Sequence, residues 1–248
     1  MGSTTNENSS GSIEEQVAKL DIPPLPTQLD EIPGIRFVDY PDESQLEAVM
    51  NLVGRDLSEP YSSKWWFVCV WEREPNINLH ATLLCSLHSA KHRVISTTTI
   101  YNSYTHTSTT TTTVFTYRYF LYRFPQLCIL ALDAETDEPI GCVVGKIDEE
   151  EVVLVDEDDA RRTEWTGYIG MLAVRQSFRR KGIGKALVRL VLQRMKALEC
   201  TSATLETEVS NTTAQKLYQD CFGFLREELL LRYYLNWNDA YRLRLWFQ

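Results

Sequence analysis

The chain has 248 residues, of which 44% are hydrophobic, and carries a formal net charge of −9. That length suits one ordinary domain with extensions, and the acidic balance argues against a nucleic-acid binder, whose phosphate contacts need clustered Lys and Arg. The six cysteines form no CxxC pair and no metal-ligand spacing, so they read as reduced thiols of a cytoplasmic protein. No apolar run approaches the roughly 20 residues needed to span a bilayer.

Residues 1–34 are polar and hold Pro23, Pro24, Pro26 and Pro33. They read as a disordered lead-in without a signal-peptide core. IRFVDY (35–40) alternates like a strand, and ESQLEAVMNLV (43–53) has helical spacing at Leu46, Val49, Met50 and Val53. LSEPYS (57–62) is a Pro-containing loop. The stretch 63–114 keeps no helix or strand period. Thirteen of the eighteen residues from Ser96 to Thr113 are Ser or Thr, and all four histidines of the chain fall in the segment. Its abrupt edges and foreign composition mark it as an irregular insertion, of which a translated intron is one source.

Regular structure resumes with a short helix at FTYRYFLYRF (115–124). Strands follow at QLCILALD (126–133) and IGCVVGKID (140–148), with EVVLV (151–155) extending the second into an acidic, solvated stretch. GYIGMLAV (167–174) is an apolar strand running into RRKGIGKAL (179–187). The helix beginning there puts Ile183, Leu187, Leu190, Val191, Met195 and Leu198 on one face. SATLETEV (202–209) is a strand, Asn211 can cap the next helix, and LREELLLRYYLN and AYRLRLWF give two closing strands. The order, insert aside, is β-α-α-β-β-β-α-β-α-β-β, which predicts α/β packing around a mixed sheet.

The basic turn carries the sharpest chemistry. Gly182 and Gly184 have no Cβ, so backbone N–H groups can approach a ligand closely. The helix start adds roughly half a positive charge, and Arg179, Arg180, Lys181 and Lys185 add full ones. Such an end suits a phosphate or pyrophosphate. It is not a P-loop, because GxxxxGK[ST] is absent, and it is not the dinucleotide fingerprint, because Leu187 stands where the last glycine belongs. What remains is R-x-x-G-x-G. On spacing alone, Glu206 and Glu208 are two carboxylates on one face of a strand. Their repulsion would raise one of them towards neutrality; solvent-facing strand carboxylates are the plainer alternative.

The turn resembles the acetyl-CoA-binding turn of the GNAT acetyltransferase superfamily. GYIGMLAV, RRKGIGKAL, LETEVSNTTAQKLY, RYYLN and DAYRLRLWF stand in the order found in catalytic subunits of NatC-type N-terminal acetyltransferases. LSEPYS and FTYRYFLYRFPQLCIL are similar to the same subunits further upstream. The resemblance covers about 35–62 and 115–248. It implies a GNAT fold, a mixed and mostly antiparallel sheet flanked by helices, over 35–248 with the insert at 63–114.

It also implies acetyl-CoA as acetyl donor, with no metal. The pyrophosphate would be held by amides near Gly182, Ile183 and Gly184, with Arg179, Arg180 and Lys185 assisting. The pantetheine would pair with the backbone of Leu172 and Val174, and Asn211 would lie near the coenzyme. An amide in that region would serve as an oxyanion donor worth roughly 3 kcal/mol. Glu206 becomes the base acting through water, and Tyr218, twelve residues on, the group that protonates or hydrogen-bonds the departing thiolate. An α-amine with pKa about 7.7–8.0 needs only a modest base, unlike a lysine near 10.4. The substrate N-terminus, Met followed by a large hydrophobic residue, would be gripped by Leu57, Glu59 and Tyr61 from one loop and Tyr233 and Tyr234 from another. Implied partners are nascent polypeptide N-termini, the NatC auxiliary subunits and the ribosome, with no direct nucleic-acid contact and no membrane.

Two departures from the family pattern stand out. Gly223 follows Tyr218 by five residues where the family has four, a surplus that a helical bulge can absorb. The insert separates LSEPYS from FTYRYF, which are contiguous in the family; lengthening a loop this far costs about 2 kcal/mol in closure entropy. Competing readings are a GNAT acting on lysine or a small amine, and a coenzyme-binding, non-catalytic subunit whose groove the insert blocks.

Overall fold

The computed structural model describes residues 22, 24–25, 32–56, 117–153, 161–234 and 236–248. The expected insert and LSEPYS, with Leu57, Glu59 and Tyr61, lie outside the described residues.

The elements follow the expected order. Strand β1 (Ile35–Asp39) is followed by helix α1 (Leu46–Asp56), and helix α2 covers 117–123. Strands β2 (Cys128–Asp133), β3 (Pro139–Val153) and β4 (Arg161–Val174) come next, then helix α3 (Ile183–Ala197) and strand β5 (Ser202–Glu208). Helix α4 starts as an α-turn at Thr212–Gln215 and continues as a π-helix at Lys216–Asp220. Strands β6 (Leu225–Leu230) and β7 (Ala240–Trp246) close the chain. Strand β4 begins at Arg161, six residues before the expected start at Gly167, and β6 ends at Leu230. Arg232, Tyr233, Tyr234 and Asn236 therefore lie in the connection between β6 and β7 rather than in the tail of a strand.

One seven-stranded sheet runs in the order β1-β2-β3-β4-β5-β7-β6. Every pairing is antiparallel except β4 with β5, which is parallel and covers only Thr166↔Ser202, Gly167↔Ala203 and Tyr168↔Thr204. Past Tyr168 and Thr204 the two strands part, and the sheet forks.

The two faces bury separate cores. Helix α3 covers one face, where Ile183, Leu187, Leu190, Val191, Met195 and Leu198 pack with Ile129, Val143, Ala203 and Leu205. Each fully buried aliphatic side chain contributes roughly 1.5–3 kcal/mol. α3 lies close to the sheet because Gly167 leaves room for Met195, whose Sδ would collide with any Cβ there. Helices α1 and α2 cover the other face through Val49, Val53, Phe120 and Leu121 against Cys142, Val144, Met171 and Ala173. Ile22 and Leu25, expected in the lead-in, pack against the α3-side core, and Ile32 is buried within it.

A β-bulge changes which face β4 offers. Val144 pairs with Met171 and Gly145 with Ile169, so Gly170 is the additional residue. Before it, Ile169 faces α3 and Tyr168 faces α1 and α2; after it, Met171 and Ala173 face α1 and α2 while Leu172 and Val174 face α3. An unbroken period of two would have kept Ile169, Met171 and Ala173 on one side.

Candidate active site

The basic turn is built as an open helix start. Gly182 is the N-cap residue, at φ 87°, and no side chain caps the helix. That left-handed backbone suits glycine and would cost another residue about 1–2 kcal/mol. The first helical hydrogen bond runs from the Ala186 N–H to the Gly182 carbonyl, at 3.0 Å. The N–H groups of Gly182, Ile183, Gly184 and Lys185 therefore precede the ladder, with the positive end of a 15-residue helix behind them. Arg180 (φ 65°) and Lys185 are exposed at the same end.

The other two cations have local tasks. Arg179 Nε donates to the Val174 carbonyl at 2.9 Å, so this side chain runs back along β4. Lys181 Nζ sits 4.8 Å from the centre of the Phe178 ring. From Tyr168 at the fork to Val174 before the turn, β4 spans roughly 20 Å at strand rise, comparable to an extended pantetheine arm. An anion-accepting helix start at one end and a parted strand leading from it fit a coenzyme A thioester.

At the fork, five polar side chains from five strands form a row. Tyr168 on β4 donates its hydroxyl hydrogen to Glu206 Oε2 at 2.8 Å. Glu206 lies on β5 between Leu205 and Thr207, and Leu205 faces α3, so Glu206 projects to the opposite, α1 and α2 side. Arg242 stands directly opposite Glu206 on β7 and donates from Nε to Oε1 at 3.1 Å. Its other branch reaches Glu228 Oε2 on β6 at 2.9 Å. On the β3 side, Lys146 Nζ lies 5.1 Å from the Tyr168 ring centre and pairs with Asp148 at 2.7 Å. Burial opposes the charge on Arg242, but Glu206, with Glu228 behind it, outweighs that and raises its pKa.

Glu206 and Glu208 each have their own hydrogen-bond partners. The nearest ionic neighbour of Glu206 is the guanidinium of Arg242, while Glu208 accepts from Ser210 Oγ at 2.8 Å and from Asn236 and Asn238 at 3.1 and 3.4 Å.

Tyr218 is buried on the α3 side and packs edge-to-face on Phe224, 5.6 Å between ring centres. Burial, then the nearby Tyr234, pushes its hydroxyl pKa well above the usual phenol value. The additional residue before Gly223 is absorbed by the π-turn, which ends in bonds from the Gly223 N–H to Gln219 and the Phe224 N–H to Tyr218. Tyr234 links the two halves, because its pKa is raised by burial and then by Glu206 and Glu208, while Tyr218 senses Tyr234 in turn. Tyr233 and Tyr234 stand edge-to-face at 5.2 Å in the β6–β7 turn. Asn211 acts as a helix cap, its Oδ1 accepting from the Ala214 N–H at 3.0 Å.

The structure places Glu206 and Tyr234 beside the fork and the basic turn at the start of α3, and it adds Arg242, which the sequence reading did not single out. The only trace of Arg242 was the alternation of Arg242 and Arg244 with leucines in AYRLRLW, which shows a charged strand face without saying what it faces.

A family model described as "Acetyltransferase (GNAT) family" matches residues 94–224. The chain belongs to the GNAT acetyltransferase family. It is 36% identical over 212 residues to N-alpha-acetyltransferase 30 of Xenopus laevis, covering 86% of this chain and 54% of that one. It is 32% identical to N-alpha-acetyltransferase MAK3 of Arabidopsis thaliana, covering 86% and 78%. Among solved structures it is similar to a chain of the NatC complex bound to Gag peptide and CoA, with 29% identity, TM-score 0.57, and coverage of 86% of this chain and 99% of that one. The chain spans about half the length of the Xenopus relative.

Proposed function

We propose that this chain is a NatC-type N-terminal acetyltransferase, moving acetyl from acetyl-CoA to the α-amine of an N-terminal Met followed by a large hydrophobic residue. The observation that carries the reading is Glu206, held by Tyr168 at the mouth of the fork, with β4 leading from there to the uncapped basic helix start. The similarity to the chain from the peptide- and CoA-bound NatC complex supports the substrate class.

The amides of Gly182, Ile183, Gly184 and Lys185, with Arg180 and Lys185, hold the pyrophosphate. Arg179 contributes mainly by securing the end of β4, and the backbone of Leu172 with the Val174 end of the strand aligns the pantetheine. The acetyl donor supplies a thioester carbonyl for attack. Glu206 accepts the proton that the amine nitrogen loses, through one water, as the C–N bond forms and the C–S bond breaks. With its pKa raised, Tyr218 stays protonated and serves the departing sulfur as a hydrogen-bond donor rather than by giving up its proton. Tyr233 and Tyr234, with Leu57, Glu59 and Tyr61 from the other loop, grip the peptide. The helix-capping bond of Asn211 supports a structural contribution near the coenzyme.

The partners proposed are nascent polypeptide N-termini, the NatC auxiliary subunits and the ribosome, in the cytoplasm. Among the described residues no helix is long and apolar enough to cross a membrane. The test is acetylation of a Met-Leu peptide, an internal-lysine peptide and spermidine by the chain with and without residues 63–114. The reading expects the Met-Leu peptide to be strongly preferred. Coenzyme binding with turnover of none of them, in either form, overturns it.

A further inference from the structure

The reaction as proposed gives Arg242 no part, yet among the described residues it is the charged group in direct contact with the base. We propose that Arg242 is a positioning residue that holds and aims the Glu206 carboxylate, with Glu228 anchoring the far side of the guanidinium. This rests on the reading of Glu206 as the base.

The geometry is specific. The Glu206 side chain is 8% exposed, against 36% for Arg242. A carboxylate that buried needs a charge partner or several hydrogen bonds. Each of its oxygens has one strong donor, Arg242 Nε on Oε1 and the Tyr168 hydroxyl on Oε2. An ionised carboxylate has about four acceptor positions, so lone pairs remain for a proton-relaying water. Two donors from two strands fix the plane of the carboxylate without filling it.

The far end of the guanidinium is fixed by a second β-bulge. Arg226 pairs with Leu243 and Glu228 with Arg242, so Glu227 is the additional residue on β6. Adjacent residues on a strand point to opposite faces; the bulge lets both Glu227 and Glu228 reach arginines on β7, Arg244 at 2.7 Å and Arg242 at 2.9 Å. Arg242 is thus held between a buried carboxylate and a half-exposed one. Among the described residues, Tyr168 from β4 and Arg242 from β7 contact Glu206, Tyr234 in the β6–β7 connection feels its charge, and Glu208 stands on its own strand. Among these groups Arg242 is the cation. Removing it takes away the charge that favours the ionised form; removing Glu228 takes away a competing negative charge.

The experiment follows the Glu206 carboxyl by carbon-13 NMR in glutamate-labelled protein, its resonance assigned with Glu206→Gln. It is paired with kcat/KM for a Met-Leu peptide from pH 5.5 to 8. Arg242→Met is expected to raise the carboxyl midpoint, because a cation beside a carboxylate favours its charged form, and to lower kcat/KM more at pH 6 than at pH 8. Arg242→Lys recovers most of the midpoint. Glu228→Gln moves it the other way. A midpoint unchanged in Arg242→Met, with a rate loss equal at every pH, overturns the inference and leaves Arg242 as scaffolding. Should Arg242→Met not fold, Glu228→Gln decides: a lowered midpoint supports the inference, and an unmoved or raised one overturns it. Full activity in Glu206→Gln would overturn the base assignment instead, while the titration still reports whether Arg242 governs that carboxyl.

Discussion

The basic turn and the polar row meet at β4 but are built on opposite principles. The turn is contiguous, Arg179 to Leu187, and its chemistry comes from backbone: a left-handed Gly182 and N–H groups ahead of the α3 ladder. The row draws Lys146, Tyr168, Glu206, Arg242 and Glu228 from five strands, and its chemistry comes from side chains that only sheet register brings together. In the proposed reaction the first would bind by presenting donors that the helix cannot use itself, and the second would act by restricting one buried carboxylate. Damage to the turn should therefore appear as lost affinity for the donor, and damage to the row as lost rate.

The largest effect expected is at the row. Glu206→Gln should lower kcat roughly 10²–10⁴-fold, the usual worth of a positioned base, with the Kd for acetyl-CoA unchanged in calorimetry. A matching loss of acetyl-CoA affinity would dissolve the distinction between the regions. Next comes the turn: Arg180→Gln combined with Lys185→Gln should weaken acetyl-CoA about 10–100-fold, as expected for charge-assisted contacts to phosphate. Both side chains are exposed, so the penalty should shrink at high salt, and kcat at saturating donor should change little. Tyr218→Phe should follow, at about tenfold in kcat for one lost hydrogen bond to a charged sulfur. Because the Tyr218 pKa is raised, its hydroxyl keeps its proton as pH rises past the usual phenol value, so the ratio of wild-type to variant rates should stay flat from pH 7 to 10. A ratio that falls towards one over that range would mean the proton is lost there.

How far each region could be read beforehand follows from the same contrast. The turn was legible because glycines, cations and the start of an amphipathic pattern lie within nine residues, and their meaning does not depend on distant partners. The element order was legible for a similar reason, since α3 and the buried strands carry clear periods. The row was half legible. Two glutamates on one strand face were visible, but their spacing suggested coupling to each other, and the partner of Glu206 proved to be Arg242 across a register that no sequence pattern specifies. The face change at Gly170 was hidden likewise, because GYIGMLAV reads as an uninterrupted apolar strand and the bulge is defined by what β3 places opposite. The surplus residue before Gly223 was visible as a count, and the π-turn is how the backbone accommodates it.

The smallest effect expected belongs to a second polar cluster that lies below the fork and has no part in the chemistry. Arg244 donates to both oxygens of Glu150, at 2.9 and 3.0 Å, and to Glu227 and Ser202, while Thr166 joins Glu150 at 3.2 Å. These contacts tie β3 to β7 across β4 and β5, where the parallel pairing holds the base of the fork closed. The hydrogen bonds from Arg244 hold the Glu150 carboxyl below its ordinary value of 4.5. A depressed folded-state pKa stabilises the protein above the unfolded value and loses that contribution as pH falls through the folded one. Glu150→Gln should therefore lower Tm at pH 7 and cost progressively less below about pH 4.5. The Glu150 side chain is 40% exposed, so solvent screening limits the pair to at most about 1 kcal/mol, or roughly 2–4 °C. Turnover at 25 °C should be unaffected, because the cluster holds the strands together below the proposed base Glu206. A loss of rate in Glu150→Gln larger than its loss of stability would show that the base of the fork and the row above it act as one unit.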